Sequence, residues 1–227
     1  MPRNGSGVFS LPPGSTFTPN TLIQSGVVNG IFADLATDAN TPRPIVAGGH
    51  GASDVVNARI NLGIPWALIQ VSTFSGVAAV DFTNLSAYRR LRIHGVIILS
   101  AQSDIYWRSS TNNGSTFDAG ASDYSAQIIS ATGSATAALQ QTASSYALIS
   151  NALTSCGVDL LVEEFNVSSG GALGLSSTTD FNGGATTIYV QRGAQFRNST
   201  TPRNAIRIGP VGAVTLSGTL AIEGMVS

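Results

Sequence analysis

Carboxylate pairs are the first chemistry to look for in this chain, because cleavage of a glycosidic bond uses two carboxyl groups about 5–10 Å apart. Glu163 and Glu164 are adjacent in a predicted strand, so their side chains point to opposite faces and do not form such a pair. Asp118 and Asp123 lie on one Gly-rich loop and can meet. Three interpretations of these two acids stay open: solvated residues or caps of turns, contacts to a carbohydrate or a cation, and a catalytic pair.

Histidine and cysteine are scarce, with two of the first and one of the second. His94 alternates with Arg92 on the polar side of a predicted strand, which indicates an exposed histidine on a sheet. His50 lies in a Gly-rich turn, where it either fills a turn position or meets two further copies around a metal ion. Cys156 is predicted to be a buried structural thiol, and a single cysteine excludes both an intramolecular disulfide and a cysteine-based zinc site. With these alternatives left open, the favoured interpretation is a chain with no catalytic residue, no resident metal and no cofactor.

The largest central loop offers the best surface for a ligand. Saccharide binding favours aromatic faces and planar polar side chains in exposed loops, and both kinds of residue flank this loop. The open alternative is that the two aromatic residues belong to the core or to a subunit interface. The candidate contact residues are Trp107, Asn112, Asn113, Asp118, Asp123 and Tyr124.

Composition excludes several classes of protein. The chain has 227 residues, of which 43% are hydrophobic and only 10% are charged, where ordinary domains carry about 25% charged residues. The net charge of −1 and the absence of lysine provide no basic stripe for a nucleic acid. No window approaches the roughly 20 apolar residues of a membrane-spanning helix. The N-terminus does not resemble a secretory signal, so we expect synthesis in the cytoplasm of the producing cell.

These residues must be positioned by a mainly β domain over residues 65–227. After Pro65 the apolar period becomes two, and Gly, Ser, Thr and Asn clusters separate the apolar runs. The pattern predicts an antiparallel β-sandwich of the jelly-roll type, with residues 130–145 left as either a short helix or a long loop. The ten predicted strands cover residues 66–71, 77–82, 91–99, 104–109, 124–130, 146–150, 158–167, 186–192, 205–208 and 220–226.

Two short segments precede this domain. Residues 1–42 begin as a Pro/Gly-rich arm and continue into a helix predicted over 25–37, whose apolar stripe needs a partner. Residues 43–64 contain a second short helix, with Gly63 where a terminating glycine would stand. Several copies of that helix packed around an axis would bury Val56, Ile60 and Leu62.

The N-terminal motifs resemble those of appendage proteins of short-tailed bacteriophages. Residues 3–12 read Arg-Asn-Gly-Ser-Gly-x-Phe-Ser-Leu-Pro, as in the virion-anchoring start of tail fibres. Residues 48–52 and 58–64 resemble the Gly-Gly-Thr-Gly-Ala and Ala-Arg-x-Asn-Leu-Gly collar of such fibres, with His50 in place of Thr. Residues 88–93, 113–124 and 216–224 resemble a β-sandwich module of phage structural proteins. The resemblance implies an anchoring role for Arg3, Asn4, Phe9, Leu11, Ile31, Phe32 and Leu35.

The resemblance implies a non-enzymatic virion protein, a tail fibre or spike that attaches the particle to its host. Such proteins are generally homotrimers whose N-terminus binds a tail or portal-vertex adaptor protein and whose C-terminal domain meets a host glycan or outer-membrane receptor. We therefore expect a virion location, a trimeric collar at Val56, Ile60 and Leu62, and no nucleic-acid partner. Two alternatives stay open: a head fibre or tail adaptor that only docks another virion protein, and a spike that cleaves polysaccharide.

Overall fold

The computed structural model describes residues 25–40, 58, 61–132, 135–168, 171–181 and 188–226. The chain divides into two units, Met1–Pro65 and Trp66–Ser227. In the first unit, helix α1 spans Ser25–Asn40, which confirms the helix predicted over 25–37 and extends it by three residues.

The predicted anchoring residues are only partly described. Ile31, Phe32 and Leu35 lie on α1, and the side chain of Phe32 is 64% exposed. Exposure of so large an apolar side chain agrees with a helix that needs a partner. The other four predicted anchoring residues lie outside the described part of the chain, and these are Arg3, Asn4, Phe9 and Leu11.

The predicted collar is described only at its C-terminal end. The backbone N–H of Leu62 donates a hydrogen bond of 3.0 Å to the carbonyl of Ala58, which closes one helical turn. Gly63 follows with φ of +67°, a left-handed conformation that favours glycine, and this confirms its terminating role. The side chain of Leu62 is 54% exposed, whereas Val56, Ile60 and His50 lie outside the described residues. The trimeric collar therefore stays a prediction.

The second unit is built of antiparallel strands, as its alternating sequence predicts. No α-helix longer than one turn occurs among the described residues after Pro65. The strands are β1 (Ala67–Val77), β2 (Val80–Phe82), β3 (Arg90–Ser110), β4 (Tyr124–Thr132), β5 (Ala135–Ser144), β6 (Ala147–Glu163), β7 (Leu173–Phe181), β8 (Ile188–Arg197), β9 (Ala205–Pro210) and β10 (Leu216–Met225).

All ten strands join in one hydrogen-bonded sheet. Its order is β1-β10-β3-β6-β7-β8-β4-β5, while β9 pairs with β3 and β2 pairs with β9. Strands β3 and β6 are long, and each joins two strands that the sequence suggested were separate. Their pairing register shifts between Ile98 and Ser103, where the ladder is irregular. The N-terminal part of β3 therefore pairs with β10, and its C-terminal part pairs with β9.

Alternation along β3 decides which residues face the core. Leu91, Ile93 and Ile97 are buried, while Arg92 and His94 lie on the opposite face, as the sequence predicts. The buried residues join those of β2, β6, β9 and β10 in one hydrophobic cluster. The face that carries Arg92 is called the outer face below.

Strands β5 and β7 are the main differences from the sequence prediction. The stretch 130–145, expected as a helix or a loop, contains β5, and the connection expected at 168–177 contains the start of β7. Nearly every residue of β5 is exposed, so its apolar residues do not follow the alternation of a half-buried strand. Its antiparallel pairing with the preceding strand β4 determines its conformation more than the propensity of its residues does.

Candidate functional site

Trp107 and Tyr124, predicted to contact a ligand, are core residues. Both side chains are fully buried, and their rings meet edge to face with centroids 5.5 Å apart. The Tyr124 hydroxyl accepts a 2.8 Å hydrogen bond from the backbone N–H of Ser109, and burial raises the pKa of this tyrosine. The prediction of two exposed aromatic contacts is therefore wrong, and the alternative of a core role describes these residues.

Asp118 lies against two buried arginines. Its Oδ2 atom is 3.1 Å from Nη2 of Arg197 and 3.2 Å from Nη2 of Arg203, and it also accepts a hydrogen bond from the Ser109 hydroxyl. The two arginine side chains are only 6% and 4% exposed. Burial lowers the pKa of Arg203, although Asp118 opposes that shift. Because these guanidinium groups are removed from water, the carboxylate of Asp118 stabilises the folded chain by balancing their charge.

Asp123 joins the same group of charges. Its Oδ1 atom is 3.6 Å from Nη1 of Arg197, and its Oδ2 atom accepts a 2.8 Å hydrogen bond from the backbone N–H of Gly120. Asp118 and Asp123 therefore converge, as their shared loop suggested, but on an arginine rather than around an open site. Of the three interpretations from sequence, capping of a turn describes Asp123. The charges of both acids fix the loop to the end of β8.

Asn112 and Asn113 are exposed, yet most of their polar atoms are engaged within the protein. Oδ1 of Asn112 accepts hydrogen bonds from the Ser110 hydroxyl and the backbone N–H of Thr116. The Asn113 amide exchanges hydrogen bonds with Asn84, accepting from its backbone N–H at 2.6 Å and donating to its Oδ1 at 2.9 Å. These interactions stiffen the loop and leave few amide groups free for a ligand.

The structure also describes His94, the cysteine and the two adjacent glutamates that the sequence singled out. His94 is partly exposed on the outer face with Nε2 3.9 Å from Oε1 of Glu223, as expected for a histidine on a sheet surface. Cys156 is buried, as predicted, and burial raises its pKa to about 12. Strand β6 ends at Glu163, so Glu164 lies beyond it, and the two acids pair with Arg90 and Arg89 respectively.

The outer face brings together residues that the sequence did not connect. Cross-strand partners share a face, so the register of β3, β6, β7 and β8 arranges their side chains in rows. One row runs from Arg92 through Leu161 to Leu175. The next runs from His94 through Asp159 and Ser177 to Arg192. A groove of about 470 Å³ crosses these rows, and we call it the Trp66 groove. The lining residues used below are Trp66, Arg92, Asp159, Leu161, Leu175 and Arg192.

The Trp66 groove contains a two-point ion pair. Nε and Nη2 of Arg92 donate hydrogen bonds of 2.9 Å each to the two carboxylate oxygens of Asp159. This hydrogen bonding lowers the pKa of Asp159 and raises that of Arg92. Both side chains are 47% exposed, so the pair contributes little to stability while its remaining polar atoms stay open to a ligand.

Trp66 gives the groove an aromatic component. It lies directly before β1 and is half-buried, whereas the other tryptophan, Trp107, is fully buried. Leu161 and Leu175 supply apolar surface to the same groove. An indole beside planar polar groups matches what a saccharide needs, because CH-rich sugar faces pack on aromatic rings and hydroxyls hydrogen-bond to guanidinium and carboxylate groups.

Comparisons with protein-family models, curated proteins and solved structures find no match for this chain. Within the described ranges, no group of three or more His, Cys, Asp or Glu residues is placed to hold a metal ion. The helices that the structure describes include none long and apolar enough to cross a membrane.

Proposed function

We propose that this chain is a bacteriophage virion appendage protein that attaches the particle to host-surface saccharides through the Trp66 groove. The observation that carries the proposal is the half-buried Trp66 beside the exposed Arg92–Asp159 pair, on a domain with few charged residues. The sequence motifs at 3–12 and 48–64 support the virion location and an N-terminal contact with a tail or portal-vertex adaptor protein.

We also propose that three copies assemble, with the sheet folded in a jelly-roll-like sandwich. One buried cluster draws residues from both ends of β3, which supports a sheet folded over itself. The edge strands β1 and β5 contain no charged residue, so they lack the side chains that commonly prevent pairing between sheet edges. Three grooves on one particle would strengthen weak saccharide contacts through effective concentration.

Competition for adsorption tests the proposed function. Purified full-length chain should reduce the adsorption of particles to host cells, and antibodies to the chain should label the particle by electron microscopy. Trp66→Ala should compete at least tenfold less well, whereas Arg207→Gln, on β9 outside the groove, should compete like the unmodified chain. If the unmodified chain does not compete, or the two variants compete equally, the groove does not mediate attachment.

A second candidate function is docking of another virion protein. Four apolar side chains on β1 and β3 are each more than half exposed: Leu68, Val71, Val96 and Ile98. Such a patch on one sheet is typical of a protein contact surface. Val96→Asp would prevent incorporation of the chain into particles if this function is correct, and it would leave saccharide binding unchanged.

A further inference from the structure

We propose that the Trp66 groove selects saccharides that carry a carboxylate, as in a uronic or sialic acid residue. This inference rests on the proposed function, since it names the class of saccharide that the same groove takes. The observation that carries it is Arg192, a guanidinium on the groove wall without a partner in the described part of the chain.

Arg92 and Arg192 differ in how their charges are balanced. Both carboxylate oxygens of Asp159 accept hydrogen bonds from Arg92, so these two charges neutralise each other. Arg192 is exposed, and its side chain forms no hydrogen bond or ion pair with any residue that the structure describes. The groove lining therefore has one unbalanced positive charge, in a chain whose net charge is −1.

Among the described residues, the neighbours of Arg192 on the outer face do not supply a counter-charge. Its cross-strand neighbours are Ser177 on β7 and Ile129 on β4, and neither is charged. Asp159, one strand further away, is engaged by Arg92, and Glu223 lies beyond His94 on β10. An anion that enters the groove would thus meet Arg192 without displacing an internal partner.

The shape of the groove favours a saccharide over a small inorganic anion. Leu161 and Leu175 contribute apolar surface, and Trp66 contributes an aromatic surface in the same groove. A guanidinium presents a planar pair of N–H donors that matches the two oxygens of a carboxylate. A sugar ring over the apolar surface with its carboxylate on Arg192 uses both features at once.

Acid and ester pairs of the same saccharide test the inference directly, because the two members differ only in charge. The probes are trigalacturonic acid and sialyllactose, each compared with its methyl ester, titrated into the full chain. Trp66 and Trp107 are the two tryptophans of the sequence. Quenching of fluorescence in the unmodified chain but not in Trp66→Phe would place the ligand in the groove.

We expect at least one acid to bind about tenfold more tightly than its ester, because the ester loses a charge-assisted hydrogen bond. Arg192→Gln should abolish this preference and leave ester binding unchanged. Arg207→Gln, which removes the same charge from β9, should retain the preference, and both variants should unfold within a few degrees of the unmodified chain.

Equal binding of acids and esters, or a preference that survives Arg192→Gln, would overturn the inference while the proposed function stands. Binding of none of the four probes would also overturn it. In that case the adsorption competition with Trp66→Ala still decides the proposed function independently.

Discussion

Replacing Asp118 by Asn tests whether this loop acid has a structural role or contacts a ligand. The substitution keeps the shape of the side chain and removes the charge that faces Arg197 and Arg203. If Asp118 served a ligand, its loss would change binding and leave stability near that of the unmodified chain. Because both arginines are almost fully buried, we expect the opposite result.

The size of the effect follows from this burial. Removing one partner of a buried ion pair costs about 3–5 kcal/mol, since the remaining charge is left without compensation. Asp123 stays 3.6 Å from Arg197 and compensates in part, so we place the loss near the lower limit, at about 3 kcal/mol. For a folded unit of this size, such a loss lowers the midpoint of thermal unfolding by roughly 6–12 °C.

Urea and thermal unfolding at pH 7, followed by tryptophan fluorescence, measure this loss. Asp81→Asn is the matched control, because Asp81 forms a two-point pair with Arg207 but both side chains are about one third exposed. Exposed pairs contribute about 0–1 kcal/mol. Equal stability losses in Asp118→Asn and Asp81→Asn would refute the view that the acid balances buried charge.

Three further predictions concern the sheet that carries the groove. Gly95 has φ of +150° and a Cβ there would overlap a backbone oxygen of β10, so Gly95→Ala should lower the free energy of unfolding by about 3 kcal/mol. A Cβ at Gly157 would have its nearest contact at 3.9 Å, so Gly157→Ala should lower the free energy of unfolding by under about 1 kcal/mol. Similar losses in the two glycine variants would argue against the β3–β10 register. Burial raises the pKa of Cys156 to about 12, so little reactive thiolate is present at pH 8. The folded chain should therefore react with a thiol reagent on the order of 10³-fold more slowly than the unfolded chain. Comparable rates for the two states would contradict the burial of Cys156. Asp159 should titrate below its ordinary value in a carboxyl NMR titration, so its stabilising contribution is present above about pH 4 and is lost as pH falls through the folded pKa. Arg92→Gln should return the pKa of Asp159 toward the ordinary value. An unchanged titration midpoint of Asp159 in this variant would exclude the ion pair in solution.

Local patterns predicted the parts of the fold that depend on near neighbours in sequence. The apolar spacing on α1 predicted a helix, and the alternation in β3 correctly separated Ile93 from Arg92. Gly63 marked a helix end because only glycine readily adopts its conformation. Strand β5 was missed, since an exposed edge strand of small and polar residues carries no periodic signal.

The sites depended on contacts that no local pattern encodes. The shared loop allows Asp118 and Asp123 to meet, but the arginine that joins them is at position 197. The groove likewise requires the register of three strands, β6, β7 and β8, to bring Asp159 and Arg192 to one face. The alternation around Asp159 was the available signal, because buried neighbours on both sides place it on the outer face.

Binding of the full chain to an array of cell-surface saccharides, compared with binding of Trp66→Ala, tests the central claim most directly. The unmodified chain should bind a defined subset of saccharides, and Trp66→Ala should lose this binding while its unfolding midpoint stays within a few degrees. Equal binding by the two proteins, or no binding by either, would contradict the assignment of the Trp66 groove as the attachment site.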